Sequence, residues 1–147
     1  MRTLAAAVAL LFIQTSQASP FEGDWKTDVP RWVYSSSGGG APSGISFVVT
    51  RDTVKITSLM VTPPDREIVS EEVLRTDGEP HPSLNGPGWT VVAKWSNPNV
   101  LEVVDTGIGT RTVTVNQTYS LSADHKTLTR RFVYSDNGYI DEHAFHR

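Results

Sequence analysis

From Arg111 to Leu121 the chain alternates without a break. Val113, Val115, Gln117, Tyr119 and Leu121 fall on one face, and Thr112, Thr114, Asn116, Thr118 and Ser120 on the other. Only an extended strand sends successive side chains to opposite sides, so this period specifies a half-buried β-strand. The same period recurs through most of the chain. Ile45, Phe47 and Val49 alternate with Ser46, Val48 and Thr50. Trp89, Val91, Ala93 and Trp95 oppose Thr90, Val92 and Lys94, and Leu128, Arg130, Phe132 and Tyr134 oppose Thr127, Thr129, Arg131 and Val133. No stretch carries a convincing helical stripe.

Turn chemistry separates these runs. Asp77-Gly78, Asn97-Pro98-Asn99, Ser122-Ala123-Asp124-His125 and Asp136-Asn137-Gly138 supply residues that accept turn or left-handed dihedrals. About nine strands are expected, over 21–26, 45–51, 53–59, 67–75, 88–95, 100–106, 110–121, 127–134 and 139–146. That many short strands in one small domain must hide their edges. Consecutive hairpins favour an all-β, antiparallel up-and-down barrel of about 8–10 strands over a Greek-key sandwich. Two Pro/Gly/Ser-rich stretches, 30–44 and 79–88, are expected as long loops at the ends of the barrel.

Residues 1–18 read differently. Arg2 precedes an apolar run from Leu4 to Ile13, and Ser16 and Ala18 are small residues placed for cleavage after Ala18, the layout of an export leader. The run is about half the roughly 20 residues that a spanning helix needs. The expected product is a secreted or periplasmic single domain, 19–147. Without the leader, 12 basic residues stand against 16 acidic ones. That balance lacks the positive surplus a phosphate backbone attracts, so nucleic acid is not an expected partner. The absence of cysteine excludes disulfides, thiolate metal sites and thiol nucleophiles.

Phe21-Glu22-Gly23-Asp24-Trp25-Lys26 resembles the F-x-G-x-W-K opening of lipocalins and intracellular lipid-binding proteins, the calycin barrels. Three further features make the chain similar to the secreted bacterial lipocalin-like proteins: the 77–82 loop, the hairpin Ser120 to Thr129, with His125 where Gly is usual, and the terminal Arg147. The resemblance implies a calycin-type barrel whose Gly23 lets the first strand come close and whose Trp25 plugs the closed end under an Arg. Arg147, Arg130 and Arg131 compete for that place. The resemblance implies no activity. It departs from lipocalins in lacking a T-D-Y motif and a C-terminal helix, and from intracellular lipid-binding proteins in lacking their helical lid, where the Ser/Gly-rich stretch stands instead.

Chemistry-bearing residues are sparse. Arg130 and Gln117 lie on apolar faces, where a guanidinium needs a partner such as a ligand carboxylate. Trp89 and Trp95, with Phe132 and Tyr134, would give a lumen aromatic walls. The competing readings are core packing for the aromatics, stacking on Trp25 or snorkelling to the rim for Arg130, and a bond to a backbone group or buried water for Gln117. Trp32 and Tyr34, in the first loop, are candidates for a lid or a protein contact. Glu71 and Glu72 point to opposite faces and make no ready acid/base pair. His143 and His146, three apart on a strand, point apart as well. A metal set of His143, Asp141 and His81 is weighed and set aside, so no metal and no cofactor is expected. No catalytic residues are assigned. Asn116-Gln117-Thr118 fits the glycosylation pattern, which a bacterial chain would leave unmodified.

The expected function is non-catalytic binding of a small apolar or amphipathic ligand by Trp89, Trp95, Gln117, Arg130, Phe132 and Tyr134, with Gly23, Trp25 and Arg147 closing the barrel. An exported protein-interaction module such as a protease inhibitor, with a filled lumen, is the alternative. A barrel-fold isomerase or cyclase is a third, and it requires a polar cluster inside the lumen.

Overall fold

The computed structural model describes residues 18–27, 41–62, 64–109 and 111–147. Ten strands follow in order: β1 Gly23–Lys26, β2 Ala41–Val49, β3 Thr53–Thr62, β4 Arg66–Arg75, β5 His81–Pro82, β6 Trp89–Asn97, β7 Val100–Ile108, β8 Thr112–Leu121, β9 Thr127–Tyr134 and β10 Ile140–His146. They form one antiparallel sheet, ordered β4-β3-β2-β1-β10-β9-β8-β7-β6-β5. First and last strands are neighbours, with Lys26 opposite His146, so the meander curls round on itself. The barrel is nearly closed. Between the edges β4 and β5 no ladder forms, although β4 approaches β6 across the gap.

Among the described residues there is no helix, as the period-2 pattern demands. The tenth strand is the two-residue β5, which pairs His81 and Pro82 with Val91 and Thr90 inside the expected 79–88 loop. Most of the other expected loop, with Trp32, Tyr34 and the Ser/Gly run, lies outside the described residues, as do residues 1–17 of the expected leader. Among the described residues no helix is long and apolar enough to cross a membrane.

The inward faces do not fill the barrel evenly. One end is packed solid: Phe21, Trp25, Phe47, Val54, Leu74, Leu101, Leu128 and Phe145 are almost fully shielded from solvent. Phe21 meets Phe47 edge-on at 5.5 Å and Trp95 at 5.0 Å between ring centres. Such contacts add about 0.5–1.5 kcal/mol each beyond area burial. Trp25 donates its indole N–H to the Phe21 carbonyl at 3.0 Å.

Arg147 takes the closing position over Trp25, its guanidinium carbon 4.2 Å from the ring centre. The same guanidinium donates to the carbonyls of Pro20 at 2.7 Å and Glu22 at 2.6 Å. Arg130 instead lies between the rings of Phe132 and Phe145. Gly23 has its own reason. Its φ is +111°, a conformation few other residues adopt, while a Cβ there would meet nothing within 4 Å. Backbone conformation, and not close approach, requires glycine at this point. His125, where glycine was usual in the resemblance, likewise has a positive φ of 56°.

Candidate functional site

Toward the other end, the faces that begin apolar turn polar, and a cavity of about 310 Å³ opens. Ile56, Met60, Phe132 and Tyr134 give its apolar walls. Ser58, Ser70, Glu72, Gln117, Tyr119, Arg130 and Asp141 give its polar ones. The volume is at the small end of the roughly 300–1,000 Å³ usual for ligand pockets. The change from apolar to polar happens within single strands. On β7, Leu101 and Val103 lead to Asp105; on β9, Leu128 leads to Arg130; on β10, Phe145 leads back to His143 and Asp141.

Register explains which groups meet. Tyr119 is opposite Arg130, which is opposite His143, and Gln117 is opposite Phe132, which is opposite Asp141. A chain of hydrogen bonds runs beneath the cavity. The Tyr119 hydroxyl donates to Gln117 Oε1 at 3.0 Å, the Gln117 amide donates to Asp105 Oδ2 at 2.7 Å, and Ser83 Oγ donates to Asp105 Oδ1 at 2.7 Å. Ser83 reaches in from the 79–88 loop, so that loop closes over the gap side of the barrel with a polar tether. Asp105 is 1% exposed, and its two donors meet the need of a buried carboxyl for partners. Burial raises the Tyr119 hydroxyl pKa well above its ordinary value, with Arg130 nearby acting the other way.

A second pair is His143 and Asp141, with Nε2 to Oδ1 at 2.7 Å. Burial holds His143 below the usual imidazole value, while Asp141 pulls it back up. Glu72 has its carboxyl in the cavity, where burial and the neighbouring Asp105 push its pKa to about 7. Its sequence neighbour Glu71 faces out and pairs with Lys55 at 2.7 Å, so the two glutamates do point apart.

Arg130 is 7% exposed, and its Nε has no hydrogen-bond partner among the described residues. Its guanidinium carbon lies 4.7 Å from the centre of the Phe132 ring and 5.7 Å from that of Phe145. Aromatic faces hold the cation in place by cation–π attraction but offer no acceptor to its N–H groups.

Four of the six residues expected to bind a ligand therefore surround one cavity: Gln117, Arg130, Phe132 and Tyr134. Trp89 and Trp95 are elsewhere. Trp95 packs on Phe21 in the solid end. The Trp89 indole lies over Gly107, its partner on β7, where a Cβ would overlap the ring, and borders a separate rim hollow with Arg111 and Asp136. Six residues apart on β6, the two tryptophans share a face but lie toward opposite ends of the strand, and neither lines the cavity. His81 contacts Asp77 at 3.0 Å, away from His143, and no group of three metal-ligating side chains occurs among the described residues.

Glu72, Asp105, Tyr119, Asp141 and His143 were not anticipated as members of the site. The signal was present. Asp105 interrupts an apolar face, Leu101-x-Val103-x-Asp105, as Gln117 interrupts the next strand, but the parity of β7 only gains meaning once β8 is laid beside it.

No family model and no curated protein matches the chain. Solved structures do. An asparagine-to-alanine variant of the fluorescent protein UnaG superposes with a TM-score of 0.61 at 16% identity, covering 87% of this chain and 96% of that one. A glutamine variant at the same UnaG position gives 0.60 at 16%, covering 86% and 95%. The chain has a calycin-type β-barrel fold.

Proposed function

We propose that the protein is an exported, non-catalytic carrier or sensor of a small amphipathic molecule bearing a carboxylate. One observation carries this reading: a buried guanidinium with an unsatisfied Nε lines a cavity of ligand size. A carboxylate accepts from that fork in a charge-assisted bond, which water-filled apolar cavities do not offer. Ile56, Met60, Phe132 and Tyr134 would contact the apolar part. The leader pattern of residues 1–18 supports export, and the calycin-type fold is compatible with a lumen ligand.

Titrating the purified protein with carboxylate-bearing apolar probes, followed by tryptophan fluorescence and calorimetry, tests the reading. Saturable binding that weakens about tenfold or more in Arg130→Met is expected, since the net worth of a charged hydrogen bond is about 1.5–3 kcal/mol. Unchanged affinity in that variant removes the role of Arg130, and no binding of any apolar acid removes the proposal.

The isomerase or cyclase reading draws on a specific observation too, the polar cluster within the lumen. Glu72, with a pKa near neutrality, has the property of a general acid or base. Turnover of a bound acid that disappears in Glu72→Gln would favour it. The protein-interaction reading expected a filled lumen, and the open end is not filled.

A further inference from the structure

The cavity holds more acid than base. Arg130 is the one cationic side chain among its lining residues, against Glu72 and Asp141, with Asp105 just behind Gln117. Two of these acids are already engaged, Asp141 by His143 and Asp105 by Ser83 and Gln117. Glu72 is not. Among the described residues no hydrogen bond or ion pair reaches its carboxyl, and Arg130 on the same cavity makes no ion pair with it. A cation with an orphaned Nε and an acid with no protein partner thus border one small space without meeting each other.

We infer that the ligand is a compact acid of mixed hydrogen-bonding character, which lays its carboxylate on Arg130 and presents an N–H or O–H donor to Glu72. This rests on the proposed carboxylate-binding function and narrows its ligand class. A plain hydrocarbon acid would satisfy Arg130 but would cover Glu72 with apolar surface, leaving a desolvated acceptor with no donor. Sites built to hydrogen-bond a ligand group discriminate strongly against analogues lacking it for that reason. Burial already disfavours the charged form of Glu72, and a donor from the ligand would compensate it. Size agrees. If water's share of liquid volume is about 30 Å³, the cavity suits roughly ten to fifteen bonded non-hydrogen atoms, which pack closer than water.

Two matched pairs of acids test this by calorimetry on the purified protein: indole-3-acetate against naphthalene-1-acetate, and 3-(4-hydroxyphenyl)propionate against 3-phenylpropionate. Within each pair the carboxylate is shared and one ring donor differs. In at least one pair the donor-bearing acid is expected to bind about tenfold tighter, as one hydrogen bond to a charged acceptor implies. Glu72→Met is expected to abolish that preference by tightening the plain acid about tenfold, because its apolar ring then covers a thioether and not a desolvated carboxyl. Glu72→Gln, an isosteric second variant with its own fold checked by circular dichroism, is expected to cut the preference at least threefold.

Equal affinities within both pairs overturn the inference, as does a preference that survives both substitutions. If binding nevertheless collapses in Arg130→Met, the carboxylate reading stands without it. Binding indifferent to Arg130→Met, or no binding of any of these acids, removes the reading and the inference together.

Discussion

The two ends of the barrel are built from the same strands but solve opposite problems. At the closed end, β7, β8, β9 and β10 contribute Leu101, Leu121, Leu128 and Phe145, and the space is filled. A few residues along the same strands they contribute Asp105, Gln117, Arg130 and His143, and a cavity remains. Stability is concentrated in the first end, while the second carries buried polar groups whose cost is only partly offset by hydrogen bonds. The comparison teaches that in a cysteine-free barrel of this size the aromatic core need occupy only half of the lumen.

The sharpest way to break that division is to truncate one ring at each end. Phe47→Ala, at 1% exposure, is expected to lower unfolding free energy by about 3–5 kcal/mol in urea denaturation. Phe132→Ala, at the half-buried cavity wall, is expected to lower it by less than about 2 kcal/mol. Equal losses would mean that the open end is as much a structural core as the closed one.

Next in size is the network behind the cavity. Asp105→Ala strands the Gln117 amide and Ser83 hydroxyl and is expected to cost about 2–3 kcal/mol, and to loosen the 79–88 loop in hydrogen exchange.

Glu72 makes a pH-dependent prediction with a defined sign. Its carboxyl holds a proton more tightly in the folded chain, near 7, than in the unfolded chain, near 4.5. The folded state therefore binds the extra proton between those values, and stability falls as pH rises through that window. Glu72→Gln, which mimics the neutral form, is expected to be about 1–2 kcal/mol more stable than the parent at pH 8 and no different at pH 4, the larger ideal figure being reduced by solvent screening. An equal gain at both pH values would show that the charge is not the cause.

The smallest effect lies at the β8 to β9 hairpin of the closed end. His125 has a left-handed conformation at φ 56°, so His125→Gly is expected to raise stability by about 0.5–1 kcal/mol, measurable as a shift in melting temperature.

Much of this was legible in the sequence because one period governs it. Apart from the unexpected β5, the strands from Thr53 onward lie within three residues of expectation at each end, and β9 matches it at both, since strict alternation fixes the inward face before any partner is known. The arginine over Trp25 was within reach for a different reason, a resemblance that implied one there and left Arg147, Arg130 and Arg131 to compete for the place. The site was legible only in part. Parity assigned Gln117, Arg130, Phe132 and Tyr134 to the inside correctly, but it gives no height along the barrel axis. Trp95 has the right face and the wrong level, and Trp89 the right face beside a glycine that draws its ring flat. Height is set by the stagger between neighbouring strands, which the sequence of any one strand does not contain. Asp105 and Glu72 come together only across the gap where no ladder forms, and no local pattern reports that approach.

The seam between β1 and β10 has a consequence for how the molecule comes into being. Arg147 grips carbonyls 125 and 127 positions earlier in the chain. Hairpins along the meander can zip locally, but this join has to wait until β1 and β10 have both been made, and joins of such long range slow folding. Until β10 and Arg147 arrive, Trp25 lacks its cover and the facing edges of β1 and β10 stay unpaired. Before that join forms the chain is a sticky open ribbon, and the grip of Arg147 on the start of β1 is what turns that ribbon into a vessel.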